Sequence, residues 1–208
     1  MQAEVSFVAT VPATGVPAIR GLLERWGCEA VELRAWERTF RSTLSPSKRG
    51  LGEVRLSVNL GAPNALVLRT ESQDRLALSH LVAPRTPACM QARRIANVQV
   101  AVGAPHFLAS LGFSLAHETL KRGFVAHQEG ATICVFELCR RTLPTPAAEA
   151  SPELGPEHGW QPLGDGTWLV ELRVLGDDLK PLAATADTWA DLLAPLATLQ
   201  PIAPLSGR

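Results

Sequence analysis

What this sequence lacks excludes several classes of protein. Its twenty basic and twenty acidic residues cancel, so no long-range field draws the chain toward nucleic acid or an anionic membrane. No apolar run reaches the roughly 18 residues that a membrane-spanning helix requires. The four cysteines are too few and too widely scattered for a secreted disulfide framework. We therefore expect an intracellular protein with free thiols.

Targeting and catalytic signatures are missing as well. The start, MQAEVSFVATVPATGVPAI, is apolar but lacks a basic stretch and contains Pro12, Gly15 and Pro17, which indicates a strand and a turn rather than a signal peptide. The sequence has no GxSxG elbow, no GxxxxGK[ST] phosphate loop, no GxGxxG after a strand and no HExxH. These absences lower the expectation of an enzyme without excluding one, because many active sites have no short local motif.

What the sequence does contain is enough apolar material for one packed domain. Its 208 residues are 46% hydrophobic and 19% charged, which is a globular composition rather than a disordered one. We expect residues 1–208 to form a single domain. Residues 144–166, rich in Pro, Ala, Glu and Gly, are typical of a flexible insertion, and the GDG at 164–166 of a turn into the next strand.

Alternating apolar and polar residues predict a succession of β-strands, with a loop over 41–52. The predicted strands are EVSFVATV (4–11), EAVELRAWERTFRS (29–42), EVRLSVNL (53–60), NALVLRT (64–70), RLALSHLV (75–82), RRIANVQVAV (93–102), ATICVFELCRRTL (131–143) and TWLVELRVL (167–175). FSLAHETLK (113–121) and FVAHQ (124–128) predict a hairpin, which places Lys121-Arg122-Gly123 beside its turn.

Helix signals lie near the start, the middle and the end of the chain. The first helix begins near Pro17 and ends at Gly27, and a short second helix begins at Pro105 and ends at Gly112. The predicted inner face of the first helix consists of Ile19, Leu22, Leu23 and Trp26. Many sequential strands without regular βαβ alternation predict an α+β, mainly β fold, in which an antiparallel sheet closes into a barrel with helices packed outside.

The C-terminal helix provides the candidate interface. It begins near Pro181, and Pro195 should kink or end it. Its apolar stripe contains Leu182, Ala186, Trp189, Leu193 and Leu196. The stripe either packs only on the chain's own barrel or also borders a groove for a partner. Under the second hypothesis the interface residues are Leu182, Trp189, Leu193 and Leu196.

Two hypotheses for ligand chemistry arise from the strands. The first is zinc binding by His117, His127, Cys134 and Cys139. Cys134 and Cys139 lie five positions apart in one strand and therefore point to opposite faces, so they cannot share one ion without a bulge. Buried thiols and partly exposed histidines are the simpler interpretation.

The second hypothesis is a cationic lumen. A polar row of Glu32, Arg34 and Arg38 would point into the barrel, and further cations would join it to suit a polyphosphate. Those further cations are Arg55, Arg69, Arg93 and Lys121. A metal-dependent version also needs inward carboxylates at strand spacing, as in an ExExK strand. No ExExK occurs in the sequence, which favours a solvated or internally paired charged face.

Several strings, in this order, resemble the Mediator complex subunit 18 family, from the head module of the transcriptional coactivator. The central strings are Leu111-Gly112-Phe113, His117-Glu118, Lys121-Arg122-Gly123-Phe124 and Val135-Phe136. The C-terminal ones are Leu169-Val170-Glu171-Leu172, Trp189, Pro195-Leu196, Leu199, Ile202 and Pro204. Weaker agreement runs through IRGLLERWGCE and LSHLVAPRTPACMQARRIANVQV, so the resemblance covers almost the whole chain.

The resemblance implies a β-barrel related to the triphosphate-tunnel and CYTH phosphatase barrels but used as a scaffold without catalysis, cofactor or metal. It implies a nuclear protein that pairs with Mediator subunit 20 and captures a C-terminal helix of Mediator subunit 8. Contact with other head-module subunits and, indirectly, with RNA polymerase II would follow, without direct binding of nucleic acid or membrane. The alternative is a triphosphate-tunnel phosphatase, or a barrel that binds an anionic ligand.

Overall fold

The computed structural model describes residues 2–42, 53–60, 66–77, 91–101, 103–128, 130–141 and 159–201. Ten strands lie within these ranges: β1 (Gln2–Pro12), β2 (Ala30–Ser42), β3 (Glu53–Asn59), β4 (Leu66–Ala77), β5 (Gln91–Val100), β6 (Phe113–Gln128), β7 (Ala131–Arg141), β8 (Trp160–Pro162), β9 (Thr167–Gly176) and β10 (Gln200–Pro201). Three α-helices accompany them: α1 (Val16–Arg25), α2 (Ala104–Ser110) and α3 (Leu179–Leu193). A short 3-10 helix, Ala13–Gly15, precedes α1.

Eight of the strands close into an antiparallel barrel. Around the wall the order is β1, β5, β4, β3, β2, β6, β7 and β9, and β9 returns to β1 through ten residue pairs. The two short strands extend this wall, β10 beside β1 and β8 beside β7. The predicted mainly β fold, an antiparallel barrel with flanking helices, is confirmed.

The largest apolar core lies between the outside of the barrel and the helices α1 and α3. Apolar side chains of β1, β7 and β9 meet Ile19 and Leu23 of α1 and Leu182 and Leu193 of α3, all of them nearly inaccessible to solvent. A second core forms where Leu108 of α2 covers Phe40, Val54 and Leu56. Because the helices bury the outer face, the polar side chains of these strands are left to fill the lumen.

Two predicted strand boundaries are wrong. The pattern predicts separate strands over 64–70 and 75–82, but Leu66–Ala77 is one strand, with a register shift between Glu71 and Arg75 against β5. Residues 78–82 lie outside the described residues. A β-bulge lets a strand continue through polar residues that mimic a turn, which is why the pattern predicts a break.

The predicted hairpin over 113–128 is also wrong, because β6 runs through Lys121, Arg122 and Gly123 without turning. Gly123 marks a close approach of two backbones rather than a turn. A Cβ atom on Gly123 would lie 2.0 Å from the carbonyl oxygen of Val135 and 2.8 Å from Cα of Phe136. Glycine inside a strand commonly has this steric origin.

The helix boundaries follow the predicted signals. Gly27 and Gly112 have φ angles of 79° and 80°, left-handed conformations that glycine adopts without steric cost. The side chain of Asp178 caps α3 by accepting a hydrogen bond from the Lys180 backbone N–H at 3.1 Å. Of the predicted inner face of α1, Ile19 and Leu23 are buried, whereas Trp26 is 54% exposed.

The candidate interface residues of the C-terminal helix divide into two groups. Leu182, Trp189 and Leu193 are buried in the core that α3 forms with the barrel. Leu196 lies beyond the end of α3 and is 37% exposed. The helix stops before Pro195, as the missing N–H of proline requires. A role of these residues at a partner groove stays a prediction.

The predicted insertion and loop lie mostly beyond the described part of the chain. Of residues 144–166, only 159–166 are described, and they include β8. Of the predicted loop 41–52, Arg41 and Ser42 belong to β2, and the rest lies outside. Within the described ranges, no helix is long and apolar enough to cross a membrane.

Candidate functional site

The lumen of the barrel holds a cavity of about 440 Å³. Most of its lining is charged, with five cations and three carboxylates among the described residues. The cations are Arg55, Arg69, Arg93, Lys121 and Arg173, and the carboxylates are Glu4, Glu37 and Glu171. Ser57, Val67 and Asn97 complete the lining.

The two-residue period of the strands directs these side chains inward. In β9, Glu171 and Arg173 line the cavity, whereas Val170, Leu172 and Val174 alternate with them and lie in the outer core. The same alternation separates Lys121 of β6 from its neighbour Arg122, whose side chain is 55% exposed on the outside.

Lys121 is the centre of an ion-pair network in the cavity. Its Nζ lies 3.0 Å from Oε1 of Glu37 and 3.4 Å from Oε2 of Glu171, and its own side chain is only 13% exposed. The Arg173 guanidinium continues the network, with Nε 3.7 Å from Oε1 of Glu171. Lys121 Nζ also stands 4.8 Å from the centre of the Phe136 ring, a cation–π contact.

The network fixes the protonation of its members. Burial alone would raise the pKa of Glu171, but Lys121 and Arg173 outweigh it and lower that pKa to about 2. Burial would lower the pKa of Lys121, yet Glu171 and Glu37 raise it above its ordinary value. The carboxylate and the ammonium are therefore both charged at neutral pH.

A second network lies beside the first on the wall of the cavity. Glu4, which is 1% exposed, accepts hydrogen bonds from Arg69 Nη1 at 3.0 Å and Nη2 at 2.5 Å. The hydroxyl of Ser6 donates to the same carboxylate at 2.7 Å. This bidentate pair occupies both oxygens of Glu4.

The cavity is poorly suited to a divalent cation. In β1, the residues that share the inward face with Glu4 are Ser6 and Val8, so this strand offers one carboxylate where an ExExK strand would offer two. Each of the three lining carboxylates has a cation within 3.4 Å. Among the described residues, no three His, Cys, Asp or Glu side chains come close enough to bind one metal ion. The lining is better suited to an anion, because its described charges sum to 5 − 3 = +2.

The predicted cationic residues are found in two places. Arg55, Arg69, Arg93 and Lys121 line the cavity, as the hypothesis of a cationic lumen required. The row Glu32, Arg34 and Arg38 lies on the opposite face of β2, because Glu37 of that strand points inward. The interpretation as an internally paired face is confirmed for Arg38, whose Nε lies 2.8 Å from Oε1 of Glu118.

Sequence reasoning missed seven of the eleven described lining residues, including four charged ones: Glu4, Glu37, Glu171 and Arg173. Glu171 and Arg173 had a readable signal, since opposite charges two positions apart in an apolar strand share a face and have no polar neighbours there. The only sequence signal for Glu4 was its position among the apolar residues of a predicted strand. Glu37 had no signal, because its strand carries charges on both faces.

The predicted zinc ligands do not converge. Cys134 lies in the lumen, where its Sγ accepts a hydrogen bond from Arg173 Nη2 at 3.2 Å. Cys139 belongs to an outer cluster with Trp36 and Leu120, on the opposite face of β7 as the strand period required. Both thiols are buried, and burial raises the pKa of each.

Comparisons with known proteins identify the fold. No protein-family model and no curated protein matches the sequence. Among solved structures, a chain of the Mediator head module of Schizosaccharomyces pombe is similar, with a TM-score of 0.67 and 13% identity, over 95% of this chain and 97% of that one. The chain has the fold of that Mediator chain.

Two further barrels are similar at lower scores. The PH1819 protein of Pyrococcus horikoshii has a TM-score of 0.55 and 14% identity, over 93% of this chain and 89% of that chain. HpAC1 of Hippeastrum, for which a dominant triphosphatase activity has been described, has a TM-score of 0.53 and 9% identity, over 92% and 87%. At these identities the likeness concerns the fold.

Proposed function

We propose that this chain is a non-catalytic scaffold subunit of the Mediator head module, a nuclear coactivator of RNA polymerase II transcription. The observation that carries the proposal is the likeness to a Mediator head chain over nearly the full length of both chains, at a higher TM-score than the archaeal and Hippeastrum barrels. The ion-paired lumen supports the absence of catalysis, because its carboxylates are already engaged by cations.

The partners follow from the resemblance in sequence. The chain pairs with Mediator subunit 20, and it captures a C-terminal helix of Mediator subunit 8. Other head-module subunits are contacted within the assembly, and RNA polymerase II is reached indirectly. The balanced charge of the whole chain supports assembly through proteins rather than through nucleic acid.

Purification of the tagged chain from its native cells, followed by mass spectrometry, tests this proposal. We expect Mediator head subunits to co-purify in stoichiometric amounts, and co-expression with Mediator subunit 20 to raise the melting temperature, since a ligand of the folded state stabilises it. A chain that purifies alone from native cells, with an unchanged melting temperature on co-expression, would overturn the assignment.

The cavity favours a second candidate function, the binding of a small anion without turnover. Its volume of about 440 Å³ and its five lining cations are the observation in favour. Calorimetric titration with tripolyphosphate, in the absence of metal, tests this function. An Arg55→Gln variant should lose the binding, while Arg20→Gln on the outside of α1 should retain it. Absence of heat with the wild-type chain would exclude it.

Catalysis is tested separately from binding. We expect no release of phosphate from nucleoside triphosphate, RNA 5′-triphosphate, tripolyphosphate or thiamine triphosphate with Mg²⁺ or Mn²⁺, because cations already engage the three described carboxylates of the cavity. Metal-dependent turnover that disappears in a Lys121→Met variant would contradict the scaffold function and restore the phosphatase alternative.

A further inference from the structure

The outside of β2, β6 and β7 carries three parallel rows of side chains that run across the strands. The first row consists of Arg38, Glu118, Arg141 and, on β8, Trp160. The second consists of Trp36, Leu120 and Cys139. The third consists of Arg34, Arg122 and Glu137. We call these rows on β2, β6 and β7 the outer basic face.

The two charged rows have the same composition. Each contains two arginines and one glutamate, so the face has a charge of 4 − 2 = +2. In the first row the charges are largely buried: Arg38 and Arg141 approach the two oxygens of Glu118 at 2.8 and 3.4 Å, with side-chain exposures of 12%, 11% and 10%. The next row along the strands contains Glu32 and Phe124, and the guanidinium of Arg20 from α1 stands 5.1 Å from the centre of the Phe124 ring.

Two buried donors on this face have no acceptor. Trp36 is 5% exposed, and its indole Nε1 makes no hydrogen bond. Arg141 uses Nη1 for Glu118, whereas its Nη2 is buried without a partner. Among the described residues, one other buried side-chain donor lacks an acceptor, Arg173 Nε, and it stands beside Glu171 in the lumen. Buried donors in folded proteins nearly always have a partner, in protein or in ordered water, so two on one face mark points where an added acceptor would be favourable.

Contacts between arginine and tryptophan side chains lie beside both donors. The guanidinium of Arg38 stacks 4.0 Å above the Trp36 ring, and that of Arg141 stands 5.4 Å from the ring of Trp160. Trp160 and Arg38 are themselves partly exposed. The apolar cluster at this place contains Trp36, Leu120, Cys139, Leu60 and Trp160, and therefore no residue of a helix.

We propose that the outer basic face docks an acidic segment of a partner protein. A carboxylate of that segment accepts a hydrogen bond from Arg141 Nη2, and a carboxylate or backbone carbonyl accepts one from Trp36 Nε1. Arginine and tryptophan at the centre of a patch with few solvent-exposed charges are the composition of a protein-binding site. This inference concerns a surface away from the C-terminal helix and does not depend on assignment to Mediator.

The charge pattern favours a polypeptide over a nucleic acid. Phosphate backbones are bound by continuous rows of exposed lysine and arginine. Here Glu118 lies between the two arginines of its row, Glu137 ends the other charged row, and three of the four side chains of the Arg38–Glu118–Arg141–Trp160 row are nearly buried. Such a face accepts a few carboxylates at fixed points.

Selection of short random peptides displayed on phage, with the wild-type chain as bait, tests the proposal and requires no named partner. We expect the selected peptides to be enriched in Asp and Glu, and a synthetic copy to shift the Trp36 indole resonance in the ¹H–¹⁵N spectrum of the chain. The Trp36→Phe variant assigns that resonance. Absence of selected peptides, absence of acidic enrichment, or a perturbation confined to other tryptophans would overturn the proposal.

Variants locate the contact. Arg141→Gln should lower the affinity for the synthetic peptide at least about tenfold, because a charged partner is lost at the interface. Fluorescence anisotropy measures that affinity. The exposed Lys180→Gln at the start of α3 is the control and should bind normally. If Arg141→Gln does not fold, Trp36→Phe carries the test, because it removes the N–H that the free chain does not use while keeping a smaller aromatic ring in the cluster. Equal affinity of both variants and the wild type, or preferred binding of single-stranded DNA over the peptide, would refute the proposal.

Discussion

The lumen and the outer basic face lie on two sides of the same strands and are built from the same kinds of side chain. In the lumen, arginine and lysine meet glutamates that hold them, as Lys121 meets Glu37 and Glu171. On the outside, Glu118 and Glu137 hold arginines in the same way, but Arg141 Nη2 and Trp36 Nε1 are buried donors that have no acceptor. The lumen has one such donor, Arg173 Nε, enclosed by the barrel. The outside has two, on a surface where a second molecule can supply the acceptors.

The neighbours Lys121 and Arg122 test this comparison most directly, and the largest effect is expected there. Lys121→Met leaves two carboxylates in the lumen without their shared cation and should cost about 3–5 kcal/mol of unfolding free energy. Arg122→Met removes a half-exposed ion pair and should cost about 1 kcal/mol or less. Urea unfolding followed by circular dichroism measures both. Equal losses would mean that the two faces do not differ as described.

The C-terminal helix allows a comparison between a residue that the chain itself buries, Leu193, and one that it leaves exposed, Leu196. Leu193→Ala opens a cavity in the core and should cost about 2–5 kcal/mol. Leu196→Ala, at the exposed end of the same predicted stripe, should change stability by no more than about 0.5 kcal/mol. Thermal unfolding and capture of Mediator subunit 20 are measured on each variant. Weaker capture by a normally stable Leu196→Ala would place the end of the stripe at an interface.

Acid should lower the free energy of unfolding, because the lumen contains a carboxylate that stabilises the fold only when it is ionised. The pKa of Glu171 lies at about 2 in the folded chain against an ordinary 4.5, so its ionised form stabilises the fold. That stability is complete above about pH 4.5 and is lost as the pH falls toward 2, and the difference corresponds to at most ~3 kcal/mol.

The matched variants for the acid experiment are Glu171→Gln and Glu24→Gln. Unfolding free energy measured from pH 6 to pH 3 should fall less steeply in Glu171→Gln than in the wild type. The side chain of Glu24 is 57% exposed on α1, so Glu24→Gln should reproduce the wild-type slope. Identical slopes in all three proteins would contradict the assignment of the lowered pKa to the lumen.

The last test concerns the close approach of β6 and β7. Gly123→Ala places a methyl group 2.0 Å from the Val135 carbonyl oxygen, so the backbone of β7 must shift, and the cost should reach or exceed about 3 kcal/mol, the upper end of the usual range for overpacking. Gly21→Ala in α1 meets no atom within 4 Å and should raise stability by up to about 1 kcal/mol, since alanine favours the helix. A tolerated Gly123→Ala would show that the two strands can separate there without loss.

The fold was predictable because its signals are local. Strand alternation, Pro17 and Pro105 at helix starts, and Gly27 and Gly112 at helix ends act within a few residues. The errors at Gly123 and at Glu71 arose where turn-like residues continue a strand, because the cause lies in another strand that the local pattern does not show.

The candidate site was only half predictable. Four of its cations were named from the sequence, but a strand charged on both faces, such as β2, gives no sign of which face is inward. Barrel closure decides that direction, and closure depends on pairings between residues far apart in sequence, such as Glu4 with Arg69. The two donors without acceptors follow from packing alone, so no sequence pattern could indicate them.

The short strand β8 has a practical consequence for handling the protein. β8 and β9 pair with the same strand in the same direction, β8 with Cys139–Arg141 and β9 with Ala131–Phe136. The four residues 163–166 connect β8 to β9 and interrupt the line of strand hydrogen bonds along β7. This connection is held at its ends by two hydrogen bonds, from Leu163 N–H to Leu138 O at 2.8 Å and from Ala13 N–H to Gly166 O at 2.9 Å. The exposed Asp165 is therefore a suitable position for inserting an epitope tag or a fluorophore, because an insertion between β8 and β9 leaves the hydrogen bonds of both strands in place.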